Sequence, residues 1–230
     1  FQISSKIDIP ANSTDSIAYT TLLNKVLHSI DNLQISSLDT LYLHSYPLPS
    51  KAILDFIIPC LLKIKQNGYT RNIGVSLYTI DQLDLIKEYP LDVLQIPFSV
   101  VNQSFLPFLH ANKISKKYII RLRSIFLQGV LLSPPQGLHS EKFSPRFISH
   151  IERYFQHLRN INVTPLEYAL GSALSVNPSE LIVGVNSRSQ LLDICSAYRQ
   201  AASLISSSLF CMNDFAYDDS LDYDPRNWQL

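Results

Sequence analysis

The stretch LDTLYLHSYPLP, residues 38–49, carries most of the information about the fold. It climbs through an alternating apolar run, stops on His44 and is followed at once by Pro47 and Pro49. Alternation of this kind reads as a β-strand. Proline has no N–H to give to a strand ladder, so the strand ends at the histidine and the chain turns away. Successive strand residues face opposite sides, which puts His44 on one face with Thr40 and Tyr42. An imidazole is therefore left at the C-terminal end of a strand.

The same arrangement recurs on either side. FQISSKI (residues 1–7) reads as a short strand in which Lys6 shares a face with Gln2 and Ser4. TDSIAYTTLLNKVLHSIDNL (14–33) is an amphipathic helix with Leu22, Leu23, Val26, Leu27 and Ile30 on one side. AILDFIIPCLLKIKQNG (52–68) is a second helix, closed by Gly68 in a left-handed C-terminal position. RNIGVS (71–76) with IDQLDLIKEY (80–89), then LDVLQIPFS (91–99) with QSFLPFLHAN (103–112), repeat the unit. KYIIRLRS (117–124) is a fifth strand, and a longer irregular stretch follows it. TPLEYALGSAL (164–174) is a helix with Thr164 as N-cap, Pro165 at the first position and Glu167 placed for a capping box. ELIVGV (180–185) is the sixth strand and SRSQLLDICSAYRQAASLI (187–205) the helix after it; the acidic, aromatic tail 214–230 reads as a loop.

Strict alternation of strand and helix implies a parallel sheet with crossover helices, either doubly wound or closed into a barrel. No G-x-G-x-x-G or P-loop sequence opens a helix, which disfavours a nucleotide-binding open sheet. The strand ends discriminate further. Lys6, His44, Ser76, Gln95 and the pair Arg123–Ser124 each stand at or near the C-terminal end of a strand that is apolar earlier. Taken singly, a terminal lysine is a solvated side chain and a strand-end histidine a hydrogen-bonded structural residue. Recurrence over five consecutive strands is the signal, because barrel active sites are assembled from several strands at that rim. The remaining histidines, His28, His110, His139, His150 and His157, lie on helices or loops without ligand spacing, and Arg153 and Arg159 read as solvated charges.

Composition narrows the function. With 230 residues, formal net charge zero and 46% hydrophobic content, the chain is long enough for a real core and lacks the basic excess of a nucleic-acid binder. No apolar run approaches the roughly 20 residues of a membrane span. Cys60, Cys195 and Cys211 are far apart, which points to reduced thiols in a cytoplasmic protein, and no metal-ligand spacing is present.

ISSK (3–6), LDTLYLHSYPLP, GYTRNIGVSLYTIDQL (68–83), DVLQIPFSVVNQ (92–103), RSIFLQGVLL (123–132) and LIVGVNSRSQLLDI (181–194) together resemble the aldo-keto reductases, in family order and at family spacing. The resemblance runs from Phe1 to about residue 201. It implies a TIM (β/α)8 barrel with a nicotinamide cofactor, NADP(H) by family default over NAD(H), lying across the C-terminal rim. It also implies reduction of an aldehyde or ketone, or the reverse oxidation. His44 matches the histidine that orients the substrate carbonyl. Lys6 matches the buried lysine whose charge lowers the pKa of a tyrosine acid. Ser76 and Gln95 match the residues that hold the nicotinamide carboxamide, with Leu77 where many members have asparagine. Arg123 takes the place of a stacking tyrosine, and a planar guanidinium can stack too. Ser124, Phe126 and Gly129 would follow the pyrophosphate. Gly184, Asn186, Ser187, Gln190 and Asp193 match the segment that grips the adenosine end, with Gln190 where an arginine often meets a 2′-phosphate and Ile194 where asparagine often meets the adenine.

About six of eight strand–helix units are visible, so residues 1–230 read as a single barrel domain that is incomplete at its N-terminus. The family's tyrosine and aspartate precede the lysine and fall outside this chain. By itself such a chain is expected to aggregate and to reduce no aldehyde. Two alternatives stand beside the reductase. One is a non-catalytic, aldo-keto-reductase-like binding or regulatory subunit; the other is a hydrolase or lyase using Lys6 as a Schiff-base amine. The RS-x-F-L-Q-G-x-L-L pattern hints at a sugar aldehyde or ketone as the small-molecule partner; oligomeric state is not legible.

Overall fold

A computed structural model describes residues 1–9, 19–111, 117–137, 142–205, 210 and 214–228. The expected start of the first helix at 14–18, the end of another at Asn112, and His139 and Cys211 lie outside these residues. Six strands form one sheet in the order β1-β2-β3-β4-β5-β6, alternating with helices as a partial (β/α) barrel does. They are β1 (Ser4–Ile7), β2 (Leu38–Leu43), β3 (Thr70–Ser76), β4 (Val93–Pro97), β5 (Ile119–Arg123) and β6 (Glu180–Leu181). The chain divides into two compact units, Phe1–Ile96 with Asn112–Arg121, and Pro97–Ala111 with Leu122–Leu230.

In the first unit, α1 (Tyr19–Asn32), α2 (Lys51–Gln66) and α3 (Gln82–Ile86) connect parallel strands. The stripe that α1 buries is narrower than its sequence pattern suggests. Leu22 and Val26 are buried, Leu23 and Ile30 only partly, and Leu27 is exposed. On α2, Leu54, Ile57, Ile58, Leu61 and Ile64 are buried at helical spacing. Gly68, with φ of 82°, adopts the left-handed conformation that ends the helix, and the Tyr69 N–H closes it on the Ile64 carbonyl at 3.3 Å.

The second unit holds α4 (Leu106–His110), α5 (Pro145–Ile161), α6 (Pro165–Ser175), α7 (Arg188–Leu204) and α8 (Ser220–Tyr223). The stretch before Thr164 is not irregular throughout, because α5 occupies 17 residues of it. Its buried residues Phe147, Ile151, Tyr154, Phe155 and Leu158 keep helical spacing, and Ser144 caps its start by accepting from the Phe147 N–H at 3.1 Å. The charged outer face hides this stripe from a composition-based reading. The sixth strand is also shorter than ELIVGV: only Glu180 and Leu181 are in strand, and the chain leaves after the Ile182 N–H bonds the Leu122 carbonyl at 2.8 Å. The capping box of Thr164 and Glu167 forms as expected. At Gly171 a Cβ would lie 2.2 Å from the Phe210 ring, so any larger residue would force that ring to shift.

Residues 214–228, expected as loop, carry α8 and a 3-10 turn at Pro225–Asn227. They are fastened to the start of α5 through the buried Asp222. Its carboxylate accepts from the Ser144 N–H at 2.9 Å, the Ser144 hydroxyl at 2.6 Å and the Tyr217 hydroxyl at 2.9 Å. The Trp228 indole N–H donates to the Asp222 carbonyl at 2.8 Å. One turn further along α5, His150 is 6% exposed. Its Nε2 bonds the Phe215 carbonyl at 3.0 Å, and its Nδ1 faces the Arg153 guanidinium at 3.1 Å.

That bonding fixes the neutral Nε2–H tautomer, since Arg153 can only donate. Burial lowers the His150 pKa, the charges of Arg153 and Arg146 add to that, and the Phe215 and Asp218 contacts oppose it. A histidine whose folded pKa is depressed takes up its proton more readily in the unfolded chain. The fold is therefore stabilised above the ordinary histidine range and loses that stability as pH falls through it. Thermal melts between pH 7.5 and pH 5 should show a falling Tm that is flatter in His150→Gln. Equal slopes in the two proteins would contradict this assignment.

Candidate active site

The parallel register decides which side chains meet. Lys6 pairs with Tyr42, Tyr42 with Gly74, Gly74 with Val93 and Ser76 with Gln95. Residues two apart share a face. One face of the first unit's strands therefore carries Ser4, Lys6, Thr40, Tyr42, Asn72, Ser76, Gln95 and Arg121. The other carries Ile7, Leu41, Leu43, Ile73, Val75, Leu94 and Ile96, all buried.

The N-terminal half of the polar face is closed by a buried cation. The Arg121 guanidinium donates to Asp39 at 3.0 Å, the Tyr42 hydroxyl at 2.7 Å, the Thr40 hydroxyl at 3.0 Å and the Ser4 hydroxyl at 3.5 Å. The Arg121 and Asp39 side chains are each 7% exposed. Tyr42 reaches this group by lying across β3 at Gly74, where a Cβ would come within 2.8 Å of its ring. Water is thus kept from Arg121, Thr40 and Tyr42, while Ser4 stays exposed.

The C-terminal half holds the expected site residues. His44 stands one residue past β2, and its N–H still bonds the Ile7 carbonyl at 3.0 Å. The next residue, Ser45, turns its hydroxyl back to accept from the Ile9 N–H at 2.9 Å. His44 is half-buried, and its Nε2 lies 3.2 Å from the Tyr78 hydroxyl. Ser76 and Gln95 are buried and bonded to each other, Ser76 Oγ donating to Gln95 Oε1 at 3.0 Å. That bond occupies one lone pair of the Gln95 amide oxygen. Lys6 shares the face but is exposed rather than buried, because β1 stands at the end of the strand order. Leu77 faces the core and is fully buried.

The second unit brings most of the remaining expected residues around one cavity of about 610 Å³. Arg123, Ser124, Phe126, Gly129, Gly184, Asn186, Gln190 and Asp193 line it, with Ile125, Gln128, Leu166, Ile182 and Ile194 among its other walls. Ser124, Gln128 and Gly129 have positive φ (63°, 53° and 91°), so this loop turns its backbone sharply at the wall. Ser187 is not in the lining; it caps α7, accepting from the Gln190 N–H at 3.2 Å. The Gln190 side-chain oxygen accepts from the Asn186 N–H at 2.8 Å. The cavity thus opens beside the N-terminus of a 17-residue helix, a site suited to an anion. Near Arg123, burial works to raise the Asp224 pKa. The hydrogen bonds and charge of Arg226, with the charge of Arg123, outweigh it and hold that carboxyl below its ordinary value. The sequence reading missed Tyr78, Asp224 and Arg226. Tyr78 was legible in part, since it lies just beyond Ser76 at a strand exit.

A six-stranded parallel sheet with polar groups gathered at strand ends defines a barrel-type enzyme fold. The chain belongs to the aldo/keto reductase family: the model of that family matches residues 1–204. Members of this family are oxidoreductases that use a nicotinamide cofactor. A comparison with curated protein sequences finds no match. Solved structures share the fold at low identity. The holo form of an aldo-keto reductase from Bacillus halodurans is 16% identical with a TM-score of 0.69, over 98% of this chain and 75% of that one. A glycerol dehydrogenase from Gluconobacter oxydans is 14% identical with a TM-score of 0.63, over 95% and 76%. An aldo/keto reductase from Brucella melitensis is 17% identical with a TM-score of 0.54, over 95% and 69%. Among the described residues no helix is long and apolar enough to cross a membrane.

The Arg121–Asp39 pair makes a direct prediction. Asp39→Asn keeps the shape but leaves a guanidinium buried without its counter-charge, which should cost about 3 kcal/mol in urea denaturation. A loss no larger than that of an exposed pair, below about 1 kcal/mol, would show that the face is wetter than described.

Proposed function

We propose that the protein reduces a small aldehyde or ketone, or oxidises the matching alcohol, with a nicotinamide dinucleotide, NADP(H) in preference to NAD(H). The polar strand face of the first unit carries this reading, with half-buried His44 just past the end of β2 and the buried Ser76–Gln95 pair at the ends of β3 and β4. The residues present fit the cofactor. The side-chain amide of Gln95 and the hydroxyl of Ser76 are chemically complementary to a carboxamide. In the second unit the cavity beside the α7 N-terminus complements a phosphate, with Ser124, Phe126 and Gly129 toward the pyrophosphate and Gly184, Asn186, Ser187, Gln190 and Asp193 toward the adenosine end. Arg123 offers a flat guanidinium for stacking on the nicotinamide.

When bound, the dinucleotide supplies hydride to the carbonyl carbon. His44 donates a hydrogen bond to the carbonyl oxygen and orients it. The Lys6 ammonium favours the ionised form of the tyrosine that family members carry upstream of this lysine, which lowers the cost of proton donation. The sugar-pathway pattern of residues 123–132 supports a hydroxylated aldehyde or ketone as substrate, and a glycerol dehydrogenase among the structural neighbours fits that class. Free thiols at Cys60 and Cys195 fit a reducing, cytoplasmic setting.

The test uses the full-length protein that carries this chain. His44→Ala should lower carbonyl reduction by roughly 10²-fold, as loss of a donor at a developing oxyanion does, while cofactor affinity stays nearly unchanged. A loss confined to cofactor binding would assign His44 a different role. Cofactor binding with no turnover on any carbonyl, in wild type, would favour the non-catalytic binding subunit.

A further inference from the structure

The outer face of α5 borders a cavity that neither the reductase reading nor the anchoring of the C-terminal segment uses. It has a volume of about 470 Å³ and is walled by that helix and by the 3-10 turn that begins at Pro135. Ser149, Glu152, Gln156 and Arg159 stand at i, i+3, i+7 and i+10 of the helix and share one face, with Arg153 beside them. Phe147, Ile151, Tyr154, Phe155 and Leu158 are buried on the other side. The apolar stripe thus fixes the helix, and the polar face is presented to the cavity.

Arg153 and Arg159 are solvated charges by sequence, but in the fold each is held by a neutral acceptor. Arg153 donates to Nδ1 of the buried His150 at 3.1 Å, and His150 is itself fixed through Nε2 to the Phe215 carbonyl at 3.0 Å. Arg159 donates to the Gln156 side-chain oxygen at 2.6 Å, while the Gln156 amide nitrogen donates to Asn160 at 2.9 Å. These acceptors orient the two guanidiniums without neutralising them. Among the described residues neither arginine has a carboxylate partner, and Glu152 shares the cavity without bonding to either. Two cations and one carboxylate leave the cavity walls with a net positive charge. A guanidinium carries its N–H donors in a planar fork and spends one of them here, so most of each fork is left for a ligand.

We propose that this cavity binds a small phosphate monoester, with Arg153 and Arg159 holding the phosphate oxygens. Forks held in a fixed orientation suit the bidentate recognition of phosphate. The volume falls within the roughly 300–1,000 Å³ of small-molecule sites, so the cavity has room for an organic group as well as the anion. Ser149 adds a hydroxyl to the walls, and the Glu152 carboxylate opposes a phosphate dianion by like charge. The site shares no lining residue with the cavity beside α7, and it does not depend on the reductase reading.

The test is calorimetric titration of the full-length protein with inorganic phosphate, at an ionic strength held constant with sodium chloride. Wild type should bind phosphate saturably, and Arg159→Gln should weaken that binding by roughly tenfold, as loss of a charge-assisted hydrogen bond does. Arg153→Gln should weaken it to a similar degree. Arg159 is exposed on the outer face, so its variant decides the matter if Arg153→Gln disturbs the fold through His150. Glu152→Gln should tighten binding several-fold, because it removes the like charge. None of the three residues lines the cavity beside α7, so phosphate bound there would keep its affinity in all three variants. No saturable binding by wild type overturns the proposal, and so does weaker binding in Glu152→Gln. An Arg159→Gln affinity within about twofold of wild type overturns it too.

Discussion

Pleat parity, locked by parallel register, is the constraint on which the first unit depends. A slip of one residue in any strand would carry its side chains to the opposite face. Leu41, Leu43, Ile73, Val75, Leu94 and Ile96 would then leave the core, and Tyr42 and Gln95 would enter it. Burial of the apolar set therefore fixes, at no separate cost, which face carries Lys6, Ser76 and Gln95. The buried Arg121–Asp39 group performs a related task at the other end of the same face. It fills space that water would otherwise take and ties Thr40 and Tyr42 of β2 to β5. Gly74 is part of this arrangement, because only a bare strand position lets Tyr42 reach across.

The second unit is organised around termini rather than faces. Beside one cavity stands the α7 N-terminus, where Ser187 accepts from the Gln190 N–H and the Gln190 side chain accepts from the Asn186 N–H. The N-terminus of α5 does the opposite job. Its capping serine is also held by Asp222, which fastens the C-terminal segment to it with two hydrogen bonds. One helix start thus borders a cavity, while the other holds the chain's own tail. The difference follows from chemistry: a carboxylate from the chain occupies the positive end of α5.

Much of this was legible in the sequence. Alternation gave five of the six strands in type and approximate extent, and the prolines after His44 marked where β2 stops. The Thr164–Glu167 capping box and Gly68 were readable because each local motif has one physical use. The misses have physical reasons too. The α5 stripe is masked by Arg146, Glu152, Arg153 and Arg159 on its outer face, so a period of 3.6 is present without an apolar composition. ELIVGV looks like a full strand because Ile182, Val183 and Val185 are β-branched, yet the strand itself spans only Glu180–Leu181, and after the Ile182 N–H bonds Leu122 the chain turns into the cavity wall. Burial of Lys6 was inferred from the family pattern and depends on neighbours on both sides of β1, whereas β1 is an end strand in this sheet. Tyr78 escaped notice because its partner is 34 residues away in sequence and the contact exists only after β2 and β3 pair.

The central claim is that this strand face serves hydride transfer to a carbonyl. Its most direct test is isotopic: the full-length protein is incubated with NADPH deuterated at the transferable position and a panel of small hydroxylated aldehydes and ketones, and the products are read by mass spectrometry. One deuterium should be fixed on the former carbonyl carbon of a product alcohol. Tight NADPH binding with no deuterium in any product would contradict it.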